Sequence, residues 1–181
     1  MTAEVVMTRY ASFLRGVNLG PSNKIAMPAL RAMAERLGYS DVRTYINSGN
    51  LLFSTDADRA GLGLDIRRAI EAEFGLSIDV AVRTAEELRA IVASNPYPGG
   101  DPSRVTVAFL IGLPPADAEQ RLAAVADEPY TIAGSEVWVN YTGGQAGSKL
   151  AAQFSRIMGA SSTVRNLRTV SRVAQMLQET G

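Results

Sequence analysis

The residues of this chain best suited to recognition chemistry are its two lysines. Eighteen side chains are basic, and only Lys24 and Lys149 among them are lysine. Lys24 ends the stretch Arg15-Gly-Val-Asn-Leu-Gly-Pro-Ser-Asn-Lys24, and Lys149 ends Tyr141-Thr-Gly-Gly-Gln-Ala-Gly-Ser-Lys149. A compact ammonium with three rotating donors approaches a small anionic group end-on, which a planar guanidinium does not reproduce. Further donors share these stretches or lie in similar ones: Arg15 and Asn18; Tyr45, Asn47, Ser48 and Asn50; Gly144 and Ser148; Arg165 and Asn166. Together they suggest a site for a small anion, a nucleotide or a phosphorylated metabolite. The competing reading is that two lysines survive by chance in an arginine-rich chain, and that the loops only turn.

What the chain lacks narrows the chemistry. It has no histidine and no cysteine. Ser-His-Asp triads, Cys-His dyads, HExxH metal sites and disulfides are therefore excluded. A metal site would need oxygen ligands alone, and no grouping of that kind stands out, so no metal and no cofactor is expected. An enzyme built this way would have to move protons with Lys, Tyr or a carboxylate.

Charge is balanced in total but segregated along the chain. From Val5 to Ala34 there is no acid, and four basic residues give +4; from Val137 to Gln178 there is again none, and five bases give +5. Between Asp56 and Glu136, fourteen acids face seven bases. Such segregation builds a local positive field on a neutral protein. Net neutrality and a pI near 6.3 argue against double-stranded nucleic acid as a partner. No run reaches the roughly 18 apolar residues of a membrane span. Met1 to Arg9 has neither the basic nor the apolar part of a secretory signal, so a cytoplasmic setting is expected.

Elements that could position these residues follow from the patterning. Strands are predicted over Arg9–Leu14, Val42–Ile46, Leu51–Ser54 and Ile78–Arg83. Helices are predicted over Pro28–Leu37, with an apolar face of Leu30, Met33, Ala34 and Leu37 and a stop at Gly38, and over Leu64–Phe74, with Gly61-Leu-Gly63 as loop. Thr84-Ala-Glu-Glu87 is a capping box that opens a third helix to Ser94. After the Pro/Gly-rich residues 95–103, read as a linker, come strand Val105–Ile111, helix Pro115–Ala124, hairpin strands Tyr130–Ala133 and Val137–Tyr141, helix Lys149–Met158, an extended piece Ser161–Val164 and a helix Asn166–Gln178. The expected fold is α+β: two ferredoxin-like β-α-β-β-α-β halves in tandem, 8–94 and 104–181, the second ending in an added helix.

That topology has a functional consequence. Strands one and two run one way, and three and four the other. The connection Arg15–Lys24 and the turn Asn47-Ser48-Gly49-Asn50 therefore share one end of the first sheet. In the second half, Gly143–Lys149 and Arg165-Asn166 flank the central strand at one end, about 10 Å apart.

Each motif has a plain structural reading beside the functional one. Ser148 could cap a helix instead of helping to hold an anion, and the glycines before it could serve only a tight turn. The spacing is not that of a Walker A loop. Asn47 to Asn50 fits a turn in which glycine supplies the positive φ. Tyr45 would stack a base if exposed, or pack beneath other structure if not. Trp138 reads as buried filler.

Phe13-Leu-Arg15-Gly-Val-Asn18, Asn23-Lys24, Leu37-Gly38-Tyr39 and Thr44-Tyr45-Ile-Asn47-Ser-Gly-Asn50 resemble the front half of the bacterial family called domain of unknown function 1697. Ser148-Lys149-Leu150 and Thr163-Val-Arg165-Asn166-Leu-Arg-Thr169-Val170 resemble its back half. The chain departs from the family pattern at Leu167, where the family has Trp, and at Ala26-Met27-Pro28, where proline follows the methionine instead of preceding it. The resemblance implies an α/β protein of the bacterial cytosol and brings no activity with it.

Three functional readings follow. The first is a binder of a small anionic ligand through Arg15, Lys24, Lys149, Arg165 and the amide and hydroxyl groups beside them. The second is a metal-free enzyme on such a ligand, with Tyr45 or Tyr141 as proton donor. The third is a protein-interaction module whose polar loops are folding devices.

Overall fold

Short β-branched runs and amphipathic stretches alternate through the chain, and in space they close two sheets. The structure, a computed structural model, describes residues 2–179. Strands β1 (Thr8–Leu14), β2 (Ser40–Tyr45), β3 (Asn50–Thr55) and β4 (Val80–Thr84) form an antiparallel sheet in the order β2-β3-β1-β4. Helices α1 (Met27–Arg36) and α2 (Arg59–Phe74) supply the crossovers, and α3 (Ala85–Ala93) follows. Strands β5 (Val105–Leu110), β6 (Tyr130–Ala133), β7 (Glu136–Asn140) and β8 (Ser162–Asn166) repeat the arrangement as β6-β7-β5-β8, with α4 (Ala118–Ala123) and α5 (Lys149–Met158). Helix α6 (Leu167–Gln178) closes the chain. This is the expected α+β pair of ferredoxin-like halves.

By its contacts the chain divides into two compact units: residues up to Arg89 with those from Val173 onward, and Ala90–Arg172. Helix α6 begins in the second and ends in the first. The Pro/Gly-rich residues 95–103 lie in the second unit and are stitched to it. Asp101 Oδ1 accepts from the Ser103 N–H and hydroxyl, the Tyr97 hydroxyl meets that of Thr131 at 2.9 Å, and the Pro102 carbonyl accepts from the Arg168 N–H. No helix of the described residues is long and apolar enough to cross a membrane.

Each sheet is half of a core. In the first unit Tyr10, Leu14, Leu51, Phe53 and Val80 pack with Leu30 and Met33 of α1 and Leu62, Ile66 and Ile70 of α2. In the second, Leu110, Val137 and Val139 pack with Leu122 of α4 and with Leu150, Phe154 and Ile157 of α5. Each fully buried Leu or Ile contributes about 1.5–3 kcal/mol, so these faces decide where the loops emerge. Trp138 is buried as expected.

The sequence reading and the structure differ in a few places. Helix α2 starts at Arg59, not Leu64, because the Asp58 side chain caps it by accepting from the Ala60 N–H. The Gly61-Leu-Gly63 stretch is thus helical, and Gly63 is where the helix touches β4: a Cβ there would lie 3.1 Å from the Val80 carbonyl oxygen. Leu37 is exposed rather than core, because it is the last residue before a Schellman stop. Gly38, at φ 89, donates to the Glu35 carbonyl, and Tyr39 donates to that of Ala34. Ile46 is exposed and left-handed at φ 47, since β2 ends one residue earlier. Helix α4 is confined to Ala118–Ala123, the preceding prolines forming a turn that closes on the Pro115 carbonyl. Strand β8 runs on through Arg165 and Asn166, which pair with Val107 and Thr106.

Candidate functional site

The connection after β1 is held at both ends by the core, through Val17 and Ile25, each almost wholly buried. Between them the chain reverses around Asn18, which takes the left-handed conformation at φ 58 and donates its N–H to the Asn23 carbonyl. Its side-chain amide then does two jobs. Oδ1 accepts from the Ile25 N–H at 3.0 Å, and Nδ2 donates to the Ile25 carbonyl at 2.8 Å. The same Nδ2 reaches the Asn47 carbonyl at 2.9 Å and Oδ1 of Asn47 at 3.2 Å. One side chain closes its own loop and ties that loop to the β2–β3 turn.

The turn is secured from its other side by Asn50. This side chain is fully buried and donates to the Tyr45 carbonyl at 3.0 Å and the Ser48 hydroxyl at 3.1 Å. Gly49 presses the turn onto β1: its carbonyl accepts from the Leu14 N–H at 2.9 Å, and an added Cβ would meet Leu14 Cβ at 2.8 Å. Only glycine suits that contact and its φ of 82. Tyr45 pairs with Asn50 at the end of the ladder and is half-buried.

On this stitched scaffold Arg15 and Lys24 are exposed. Among the described residues Lys24 has no carboxylate and no hydrogen-bond partner. Asp79 lies beside this connection: its carbonyl accepts from the Arg15 N–H, and its carboxylate pairs with Arg67 at 3.0 Å. Arg15, Asn18, Lys24, Asn47, Ser48 and Asn50 are thus brought to one end of the first sheet.

In the second unit the register places Asn140 opposite Val105 and Asn166 opposite Thr106, so Gly144, Ser148, Lys149, Arg165 and Asn166 leave one end of the second sheet. Ser148 caps α5, its hydroxyl accepting from the Ala151 N–H at 3.1 Å. Asn166 holds the start of α6, accepting from the Thr169 N–H at 2.9 Å. Gly144 turns the chain at φ 84, its N–H bonded to the Tyr141 carbonyl. Lys149 begins α5 and is exposed, again without a carboxylate partner among the described residues. The Arg165 guanidinium donates to the Val164 carbonyl; burial lowers its pKa to about 10, so it stays charged at neutral pH. Tyr141 belongs to the core, and burial, with Glu128 nearby, pushes its phenol up to about 12. A phenol that holds its proton so firmly is a poor acid for catalysis.

A family model described as a protein of unknown function, DUF1697, matches residues 7–138. The chain belongs to that family. The match takes in every residue of the first loop cluster and stops short of the second. The structure is similar to that of the conserved bacterial protein SP0830 from Streptococcus pneumoniae, with a TM-score of 0.74 and 27% identity over 95% of this chain and 99% of that one. No curated protein matches the chain.

Four residues that composition did not single out, Tyr39, Asp56, Asp65 and Arg68, line a cleft elsewhere on the first unit. They come from three separate segments, and only Tyr39 falls within a motif, Leu37-Gly38-Tyr39.

Proposed function

We propose that the DUF1697 chain binds a small anionic ligand, a nucleotide or phosphorylated metabolite, at the loop cluster formed by 15–24 and 47–50. The observation that carries the reading is the contrast between Lys24 and its neighbours. Asn18 and Asn50 hold the loops in shape, whereas the Lys24 ammonium stands exposed on that shape and stabilises nothing near it. A cation on a rigid, carboxylate-poor rim loses little entropy on meeting a phosphate. Lys149 at the start of α5 offers a comparable positive point in the second unit, where the helix dipole also favours anions. The absence of cysteine and the bacterial neighbour support a setting in the bacterial cytoplasm. Neither a cofactor nor a metal enters this reading.

Thermal denaturation of the full chain against pyrophosphate, nucleoside diphosphates and sugar phosphates tests it. Stabilisation by one of these at millimolar concentration, lost in Lys24→Ala, is the expected result. A melting temperature indifferent to every anion would overturn it.

A further inference from the structure

The cleft at the other end of the first sheet is built differently from the loop cluster. It has a volume of about 600 Å³ and lies where β2 begins and β3 ends, beside α2. The Schellman stop at Gly38 hands the chain directly to Tyr39, so backbone bonds fix where that residue stands. Its ring lies on Phe53, with centroids 4.4 Å apart and planes 12° from parallel. Only 7% of Tyr39 is exposed, yet it lines the cleft, and among the described residues its hydroxyl has no hydrogen-bond partner. The ring is nearly buried while its hydroxyl opens onto the cleft, within reach of solvent or of a bound molecule.

Three charged side chains share the wall: Asp56 just after β3, and Asp65 and Arg68 on α2. None makes an ion pair or hydrogen bond with another described residue. Asp65 and Arg68 stand three apart on one helix, a spacing at which opposite charges ordinarily pair. Elsewhere on the unit charged side chains pair across elements, Arg59 with Glu87 and Arg67 with Asp79. The charges at this wall, two negative and one positive, are left for a ligand of the inverse pattern. The Tyr39 oxygen adds an acceptor for a third N–H.

We infer that this cleft binds a small molecule of the basic amino acid class, its two cationic groups taken by Asp56 and Asp65 and its carboxylate by Arg68. The phenol of Tyr39 bonds the ammonium or guanidinium that reaches the Phe53 side. Such a ligand carries two positive groups and one negative, so each charge at the wall finds a partner, and the cleft has room for it.

Calorimetry and amide NMR of the full chain with L-lysine and L-arginine test this, with putrescine as a probe lacking the carboxylate and L-glutamate as one of the wrong sign. Saturable binding of lysine or arginine is expected, with amide shifts centred on Gly38, Ala57 and Ala69. Asp65→Asn, which preserves shape, should weaken it about tenfold, as the loss of one charge-assisted bond does. Arg68→Gln should bring the affinity for lysine down to that for putrescine, and Lys24→Ala should change neither. Tyr39→Phe keeps the ring stack and should weaken binding about threefold, as loss of one neutral hydrogen bond does. Absence of binding at millimolar lysine and arginine would sink the inference. So would equal affinity for lysine and putrescine in the unaltered chain, or an Asp65→Asn variant that melts normally and binds unchanged.

Discussion

Where β1 stops, two asparagine side chains turn inward on the chain itself; where β3 stops, Tyr39, Asp56, Asp65 and Arg68 face a cleft and bond no other described residue. At the first end Asn18 and Asn50 direct their amides at backbone groups of the loops they stand in, or at the neighbouring turn. At the second, about 17 Å away along β3, Tyr39, Asp56, Asp65 and Arg68 line a cleft with their polar atoms unmatched. A sequence rich in Asn, Ser and Gly advertises the first end. At the second only Leu37-Gly38-Tyr39 carries a sequence signal. Polar richness in a loop is thus evidence of a demanding backbone path as much as of a binding site.

The sharpest way to break the contrast is at Gly49. Gly49→Ala places a Cβ 2.8 Å from Leu14 Cβ at a φ of 82, and should cost about 3 kcal/mol in urea denaturation. Asn18→Ala removes bonds to two segments and a residue type that tolerates φ 58, for a loss of about 2 kcal/mol. If Asn18→Ala melts like the unaltered chain, the loop cluster is not self-stitched and the contrast fails. Tyr39→Phe and Lys24→Ala, which remove polar atoms without internal partners, should each change stability by no more than about 0.5 kcal/mol.

The smallest effect is one of pH. Burial, with the charge of Asp65 second, raises the Tyr39 phenol above its ordinary range. A raised folded-state value means that the stability tied to the neutral phenol is fully present below about pH 10 and is lost as pH climbs through the folded value. Tyr39→Phe should therefore flatten the alkaline fall in stability, and Asp65→Asn should move the phenol's titration downward in ring-carbon NMR. A titration insensitive to Asp65→Asn would separate the two groups and weaken the picture of one shared wall.

Much of the scaffold was legible because its signals are local. Thr84 and Glu87 form the reciprocal bonds of a capping box, at 2.8 and 3.0 Å, as their spacing implied. Leu167, Val170, Val173 and Leu177, spaced at the helical period, form a buried stripe along α6. Strand directions alone placed Arg15 to Lys24 beside Asn47 to Asn50. Gly61 and Gly63 misled because glycine reads as loop, whereas Gly63 is a contact point between helix and strand. The types of Asn18, Ser148 and Asn166 drew notice, but whether an amide or hydroxyl bonds its own chain depends on three-dimensional neighbours. The cleft stayed hidden for a related reason: Asp56, Asp65 and Arg68 are exposed charges, and only the fold brings them to one wall with Tyr39.

Asn18 has one more consequence. The Ile25 N–H hangs on its Oδ1, and the turn it grips supplies the carbonyl that holds the Leu14 N–H. These amide protons, distant in sequence, are sealed by one clasp, so deuterium should enter both at a common rate, set by a single opening in which loop and turn lift together.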